Sequence, residues 1–251
     1  LTNPDKYAII IYGECMIRIG LGISTYNRKE SLENLIESIR KYTTIPYTLF
    51  CAVDGSNDGT VEMLINQGIE FTYGQTIGLH INKNRIFRRF SQFNFIFILE
   101  DNVTIKKEGW IEEFISASSL FNLPHIICDP RFYKTIYKTE SMGNYVIDWV
   151  GVYNPIITFY TRRVVEKIGG IDDRLKGLSP GLLEHYSRII QSKLINNERG
   201  FPNFANSKQF IDYDNIDFQY KESKENIDKY YKLYQSIISE NKSTGCIYKK
   251  L

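Results

Sequence analysis

From residue 17 to 24 the apolar residues Ile17, Ile19, Leu21 and Ile23 alternate with Arg18, Gly20 and Gly22, the two-residue period of a strand. The polar stretch Ser24-Thr25-Tyr26-Asn27-Arg28 follows, and Leu32, Leu35, Ile36 and Ile39 then fall at the spacing of one helical face. Asn27, with Glu30 three residues later, predicts a capping box at the start of that helix. Residues 47–53, YTLFCAV, are continuously apolar or β-prone, the pattern of a strand covered on both faces. The turn formers DGSNDGT of residues 54–60 lead into a short helix over 61–67 closed by Gly68. A strand over 69–73, a helix over 78–90 and a second continuous apolar strand, FNFIFIL at 93–99, repeat the alternation.

After Glu100-Asp101-Asn102 the order loosens. A helix is predicted over 110–120 and strands over 126–128, 145–150 and 156–160, as antiparallel additions to the sheet. A helix over 162–168 stops at Gly169-Gly170, and another runs from Pro180 or Gly181 to Leu194. Near the end, Ile227, Tyr231, Tyr234 and Ile238 make a helical stripe that packs onto the domain. Strands alternating with helices predict an α/β fold, a mixed, mainly parallel, doubly wound sheet flanked by helices.

With 43% hydrophobic and 24% charged positions among 251 residues, the chain has material for a real core. We expect one domain over 1–195 and a partly helical extension over 196–251 packed on it. A formal net charge of +2 supplies none of the basic excess that nucleic acid would need. No apolar run approaches the roughly 20 residues of a membrane span. Cys15, Cys51, Cys128 and Cys246 lie far apart with no C-x-x-C pair, so buried free thiols are expected rather than a zinc or redox motif. The opening LTNPDKYAII has no secretory pattern, which points to the cytoplasm, although Leu1 as first residue leaves room for a targeting segment upstream.

Ligands of open α/β sheets bind where loops converge at the carboxyl ends of strands. Three polar clusters fall at such ends: Ser24 to Arg28, Asp54-Gly55-Ser56, and Glu100-Asp101-Asn102. The dinucleotide fingerprint G-x-G-x-x-G fails, because Thr25 stands where the third glycine belongs, and no phosphate loop occurs. Three histidines and no G-x-S-x-G elbow leave little support for a serine hydrolase. An acidic cluster at a strand end can instead hold a divalent cation that neutralises a diphosphate.

At this point the sequence resembles the inverting glycosyltransferases of family two, with the GT-A fold. The resemblance rests on ISTYNRKESLENLIESI from Ile23, AVDGSNDGT from Ala52, GLHINKN from Gly78, FILEDN from Phe97, EKIGGIDDRL from Glu166 and LLEHYSRI from Leu182. These occur in the family's order over about two thirds of the chain. The resemblance implies that Thr25, Tyr26 and Arg28 lie beside the base and phosphates of a nucleotide-sugar donor, and that Asp54 accepts a hydrogen bond from the base. A carboxylate there suits a ring N–H such as that of uracil, hence a UDP-sugar. Lys83 and Asn84 fall where the family faces the donor with Arg-Asn.

The acidic triplet resembles the family's DXD-type motif, with Asp101 meeting ribose or metal and Asn102 where the family holds a metal-binding Asp. Asn offers a neutral oxygen there, so manganese or magnesium is expected to bind more weakly. Glu184 matches the family's general base, which takes the proton of an acceptor hydroxyl on a glycan, protein or small molecule. Two other functions remain open: a non-catalytic module of the same fold, and a sugar nucleotidyltransferase, which should carry a glycine-rich loop where this chain has STYNR.

Overall fold

A computed structural model describes residues 9–12, 15–129, 135–151, 155–175, 181–195, 200–212 and 224–244. Pro180, Cys246 and residues 213–220 of the C-terminal aromatic run lie outside the described residues. An unpredicted strand, β1 (Ile9–Tyr12), comes first, and the first half then alternates as the sequence predicts: β2 (Cys15–Thr25), α1 (Lys29–Tyr42), β3 (Thr48–Val53), α2 (Thr60–Asn66), β4 (Glu70–Tyr73), α3 (Leu79–Phe90) and β5 (Phe95–Glu100). The second half holds β6 (Thr104–Ile105), α4 (Trp110–Leu120), β7 (His125–Cys128), β8 (Ile136–Met142), β9 (Tyr145–Val150), β10 (Ile157–Thr161) and α5 (Arg162–Ile168). It closes with α6 (Gly181–Gln191), β11 (Phe201–Phe204), β12 (Ile211–Asp212) and α7 (Lys224–Thr244).

One mixed sheet runs β4-β3-β2-β5-β10-β7-β11-β9-β8, with β1 paired to β2. The quartet β4, β3, β2 and β5 is parallel, so its carboxyl ends open on one edge. β10 runs antiparallel between β5 and β7. β11 inserts between β7 and β9, so residues beyond 195 supply a strand of the main sheet.

β2 is an inner strand of the parallel quartet, and its glycines let a helix sit directly on it. A Cβ on Gly22 would lie 2.1 Å from Ile86 Cγ2, and one on Gly20 would lie 2.5 Å from the Phe90 ring. Both contacts are to α3, whose amino end therefore reaches the carboxyl edge of the sheet. On the other side Phe97 meets Trp110 and Phe114 edge-on, at ring-centroid distances of 5.3 and 5.6 Å.

Two local expectations are corrected. Asn27 does not cap α1: it takes a left-handed φ of 49° and accepts a hydrogen bond from Asn57 N at 2.8 Å. The first amide of α1, that of Lys29, instead donates to Asp58 Oδ2 at 2.8 Å, so a neighbouring loop caps the helix. On α7, Tyr234 of the predicted stripe meets Ser187 of α6 at 3.5 Å and Ile238 is half-buried, but Tyr231 is exposed and the buried positions are Ile237 and Asn241. Cys51 and Cys128 are buried free thiols, as expected.

Candidate functional site

Parallel register sets Thr25 beside Val53 and Ser24 beside Glu100. The residues that follow, Tyr26, Asp54 and Asp101, therefore emerge together at one edge. Thr25 Oγ1 donates to Asp101 Oδ2 at 2.8 Å, and Arg28 Nη1 stands 3.7 Å from Asp101 Oδ1. The amide of Asp54 donates to Thr25 O at 2.9 Å, tying the first two loops together. Burial pushes the Asp101 carboxyl up to about 7, against the opposing pull of the Arg28 charge and the Thr25 hydroxyl, while Glu100 adds to the rise. The Tyr26 backbone N–H also bonds the Asp101 carboxylate, and the Tyr26 side chain is 43% exposed.

Asp54 is buried and accepts from Ile77 N at 2.7 Å and Gly78 N at 3.0 Å, while Thr76 Oγ1 donates to its carbonyl at 3.0 Å. The loop before α3 is thus clasped onto the β3 turn. Gly55 is required there: its φ is +77°, and a Cβ would meet Thr76 Oγ1 at 2.5 Å. Each Asp54 oxygen accepts one of these bonds and retains a lone pair for a ligand donor.

Lys83 is only 2% exposed, and its Nζ lies 2.5 Å from Glu100 Oε1. Its charge is matched within the protein, one residue from Asp101. Asn84 does not face the edge as expected. Its amide nitrogen donates to Ile171 O at 2.7 Å and its oxygen accepts from Ile171 N at 2.8 Å, so it holds the chain just past Gly169-Gly170.

Asn82, which the sequence reading passed over, donates to Ser24 Oγ at 2.8 Å and Ala52 O at 2.6 Å. Its oxygen accepts from Arg85 Nη1, which also reaches Val53 O, both at 2.9 Å. The signal was its position four residues before Ile86, on the stripe of α3 that faces β2. A polar side chain on such a stripe must find partners in the strand ends.

Glu184 is wholly buried on α6. Arg188 Nε donates to its Oε1 at 2.6 Å and Arg188 Nη2 to its Oε2 at 2.8 Å, with Asn241 Nδ2 3.4 Å from Oε1. The same guanidinium donates to Ile168 O at 2.5 Å and Gly170 O at 2.7 Å. In this arrangement the carboxylate anchors the Gly169-Gly170 turn and does not open onto the sheet edge. His185 is buried between Phe87 and Tyr160, and desolvation, with the Arg188 charge, holds it neutral well below its usual range.

Asp101 and half-buried Asn102 offer hard oxygen ligands. Among the described residues no group of three or more His, Cys, Asp or Glu side chains could hold a metal. The pair fits an ion that brings its remaining ligands with it, as magnesium does when phosphates complete its shell.

Acidic and basic side chains thus gather at the carboxyl edge of this α/β sheet. Residues 21–169 match glycosyl transferase family 2, and the chain belongs to that family. No curated protein matches it. Among solved structures it is similar to TarS of S. aureus, at 13% identity and a TM-score of 0.60 over 88% of this chain and 39% of that one. TarS 1-349 in complex with UDP gives 13% identity, a TM-score of 0.61, and coverage of 88% and 65%. GalNAc-T7 with UDP, GalNAc and Mn2+ gives 10% identity, a TM-score of 0.56, and coverage of 77% and 43%. The chain spans less than two thirds of each of these structures, and the likeness establishes the GT-A fold. Among the described residues no helix is long and apolar enough to cross a membrane.

Proposed function

We propose that the chain transfers a sugar from a nucleoside diphosphate donor, a UDP-sugar, to an acceptor hydroxyl with inversion at the anomeric carbon. The observation that carries this reading is the bonded group Thr25–Asp101–Arg28 at the same sheet edge as the Asp54 turn. Asp54 has lone pairs for a ring N–H. Tyr26 offers an exposed ring to the base, and Arg28 a cation to the diphosphate. Asp101 and Asn102 would hold a divalent ion, which when bound neutralises the leaving diphosphate. Lys83, paired with Glu100 one residue from Asp101, would supply charge to the diphosphate on leaving that pair.

In this reading Glu184 takes the acceptor proton, and that step requires Arg188 to release it. The enclosure of Glu184 favours a second reading, a module that binds the donor without transfer.

Calorimetric titration of UDP, GDP, CDP and TDP and their common sugars, with and without manganese, tests both. Saturable, manganese-dependent binding of UDP-sugar together with UDP release supports transfer. Binding with neither hydrolysis nor transfer supports the module, and no binding by any nucleotide defeats both. Asp101→Ala should weaken UDP affinity at least tenfold, a loss of about 1.4 kcal/mol.

A further inference from the structure

Strand β8 ends the main sheet, and among the described residues it pairs with β9 on one side only. Of the eight large apolar side chains that stand exposed among the described residues, three lie on this seven-residue strand: Ile136 at 40%, Tyr137 at 53% and Met142 at 43%. Exposed edge strands are templates for pairing with another chain.

The β8–β9 register runs Met142 opposite Tyr145, Glu140 opposite Ile147 and Lys138 opposite Trp149. In a tight hairpin the pair that flanks the two-residue turn is hydrogen-bonded, and bonded pairs then alternate. The N–H and C=O groups of Glu140 and Met142 therefore point toward β9, and those of Thr139 and Ser141 point outward. Two outward residues in succession along the strand are enough for an antiparallel partner to bond to.

We propose that β8 is a self-association edge, pairing antiparallel with β8 of a second copy about a two-fold axis at Thr139. In this register the two Thr139 residues exchange backbone hydrogen bonds. Lys138 faces Glu140 of the second copy, and Glu140 faces its Lys138, in the close, non-hydrogen-bonded positions. Moving the axis to Glu140 would set two glutamates against each other, and moving it to Ser141 would put Glu140 opposite Met142, so only the axis at Thr139 gives opposite charges facing each other. Glu140 is held in place for the contact, because Trp149 Nε1 donates to its Oε1 at 3.0 Å and Lys138 of the same strand ion-pairs with it. The irregularity between Ile136 and Lys138 bounds the paired segment on its amino side.

The contact is short, so the dimer is weak and concentration-dependent. Sedimentation equilibrium of the full chain over a concentration series reads it, with hydrogen exchange at the Thr139 and Ser141 amides as a second probe. The wild type should dimerise, and both amides should exchange more slowly as concentration rises. Lys138→Glu sets like charges across both symmetric positions and should weaken the dimer about tenfold. Lys138→Glu with Glu140→Lys restores opposite charges and should recover most of the affinity. Thr139→Pro removes the central donor from an edge position that proline tolerates, and should give a monomer whose circular dichroism is unchanged. A wild type that stays monomeric at the highest attainable concentration overturns the proposal. So does a dimer that Lys138→Glu leaves intact, or one that the double swap fails to restore.

Discussion

Glu184→Gln separates a buried structural carboxylate from a catalytic one. The substitution keeps the shape and removes the charge, leaving the Arg188 guanidinium enclosed without an anion. Arg188 retains its bonds to Ile168 O and Gly170 O, and the glutamine oxygen can still accept one of the two bonds at 2.6 and 2.8 Å. Removing one partner of a buried ion pair costs about 3–5 kcal/mol, and the surviving bonds put this case near 3. For a chain of this size about 3 kcal/mol lowers the melting temperature by roughly 6–12 °C. Arg188→Met should cost more, since two buried carbonyls lose their donors at about 1–3 kcal/mol each. The assay is thermal melting of both variants beside UDP binding and sugar transfer measured well below the melting range. If Glu184→Gln melts within about 1 °C of the wild type, too little for a buried ion pair, and transfer is abolished with donor affinity kept, the structural reasoning fails and Glu184 is the base.

Asn102→Asp should tighten manganese binding, because a charged oxygen replaces a neutral one, and unchanged affinity by titration would remove residue 102 from the metal position. Gly22→Ala should cost about 1–3 kcal/mol by driving a methyl into Ile86, and adding Ile86→Ala should cost less than the two single changes summed; strict additivity would show that this contact is not the cause. His125 is held down to about 3, chiefly by burial, so the unfolded chain takes up a proton between pH 6.5 and 3 that the folded chain refuses. That contribution to stability is full above pH 6.5 and falls on acidification, by about 1.4 kcal/mol per pH unit. His125→Gln should flatten the pH dependence of the melting temperature between pH 7 and 5 by about that amount, and identical slopes in the two proteins would refute it.

Hydrophobic period located most elements because burial and period are the same fact seen twice. The helix expected over 162–168 matches α5, and Gly169 ends it with a φ of +71°. Five strands escaped, β1, β6, β8, β11 and β12, two of them for evident physical reasons. β8, Ile136–Met142, is exposed at nearly every position and so leaves no apolar alternation to read. β11 carries Pro202 between two neighbouring strands, and a proline ordinarily demotes a run to an edge or a loop.

At the sheet edge the polar loops were readable from their composition, and their partners were not. Asn84 meets Ile171 across 87 positions, and Asn27 meets Asn57 across 30, pairings that only the folded sheet creates. Glu184 is the opposite case. Gly181, Glu184, His185, Arg188 and Ile189 are all buried and fall at helical spacing, so Glu184 shares its stripe with Ile189. A glutamate four residues before an arginine is also the spacing of a helical ion pair. A charged pair on an inward stripe has to be satisfied internally, and that rule, applied to residues 181–189, is sufficient to pair Glu184 with Arg188, whose guanidinium holds the Gly169-Gly170 turn.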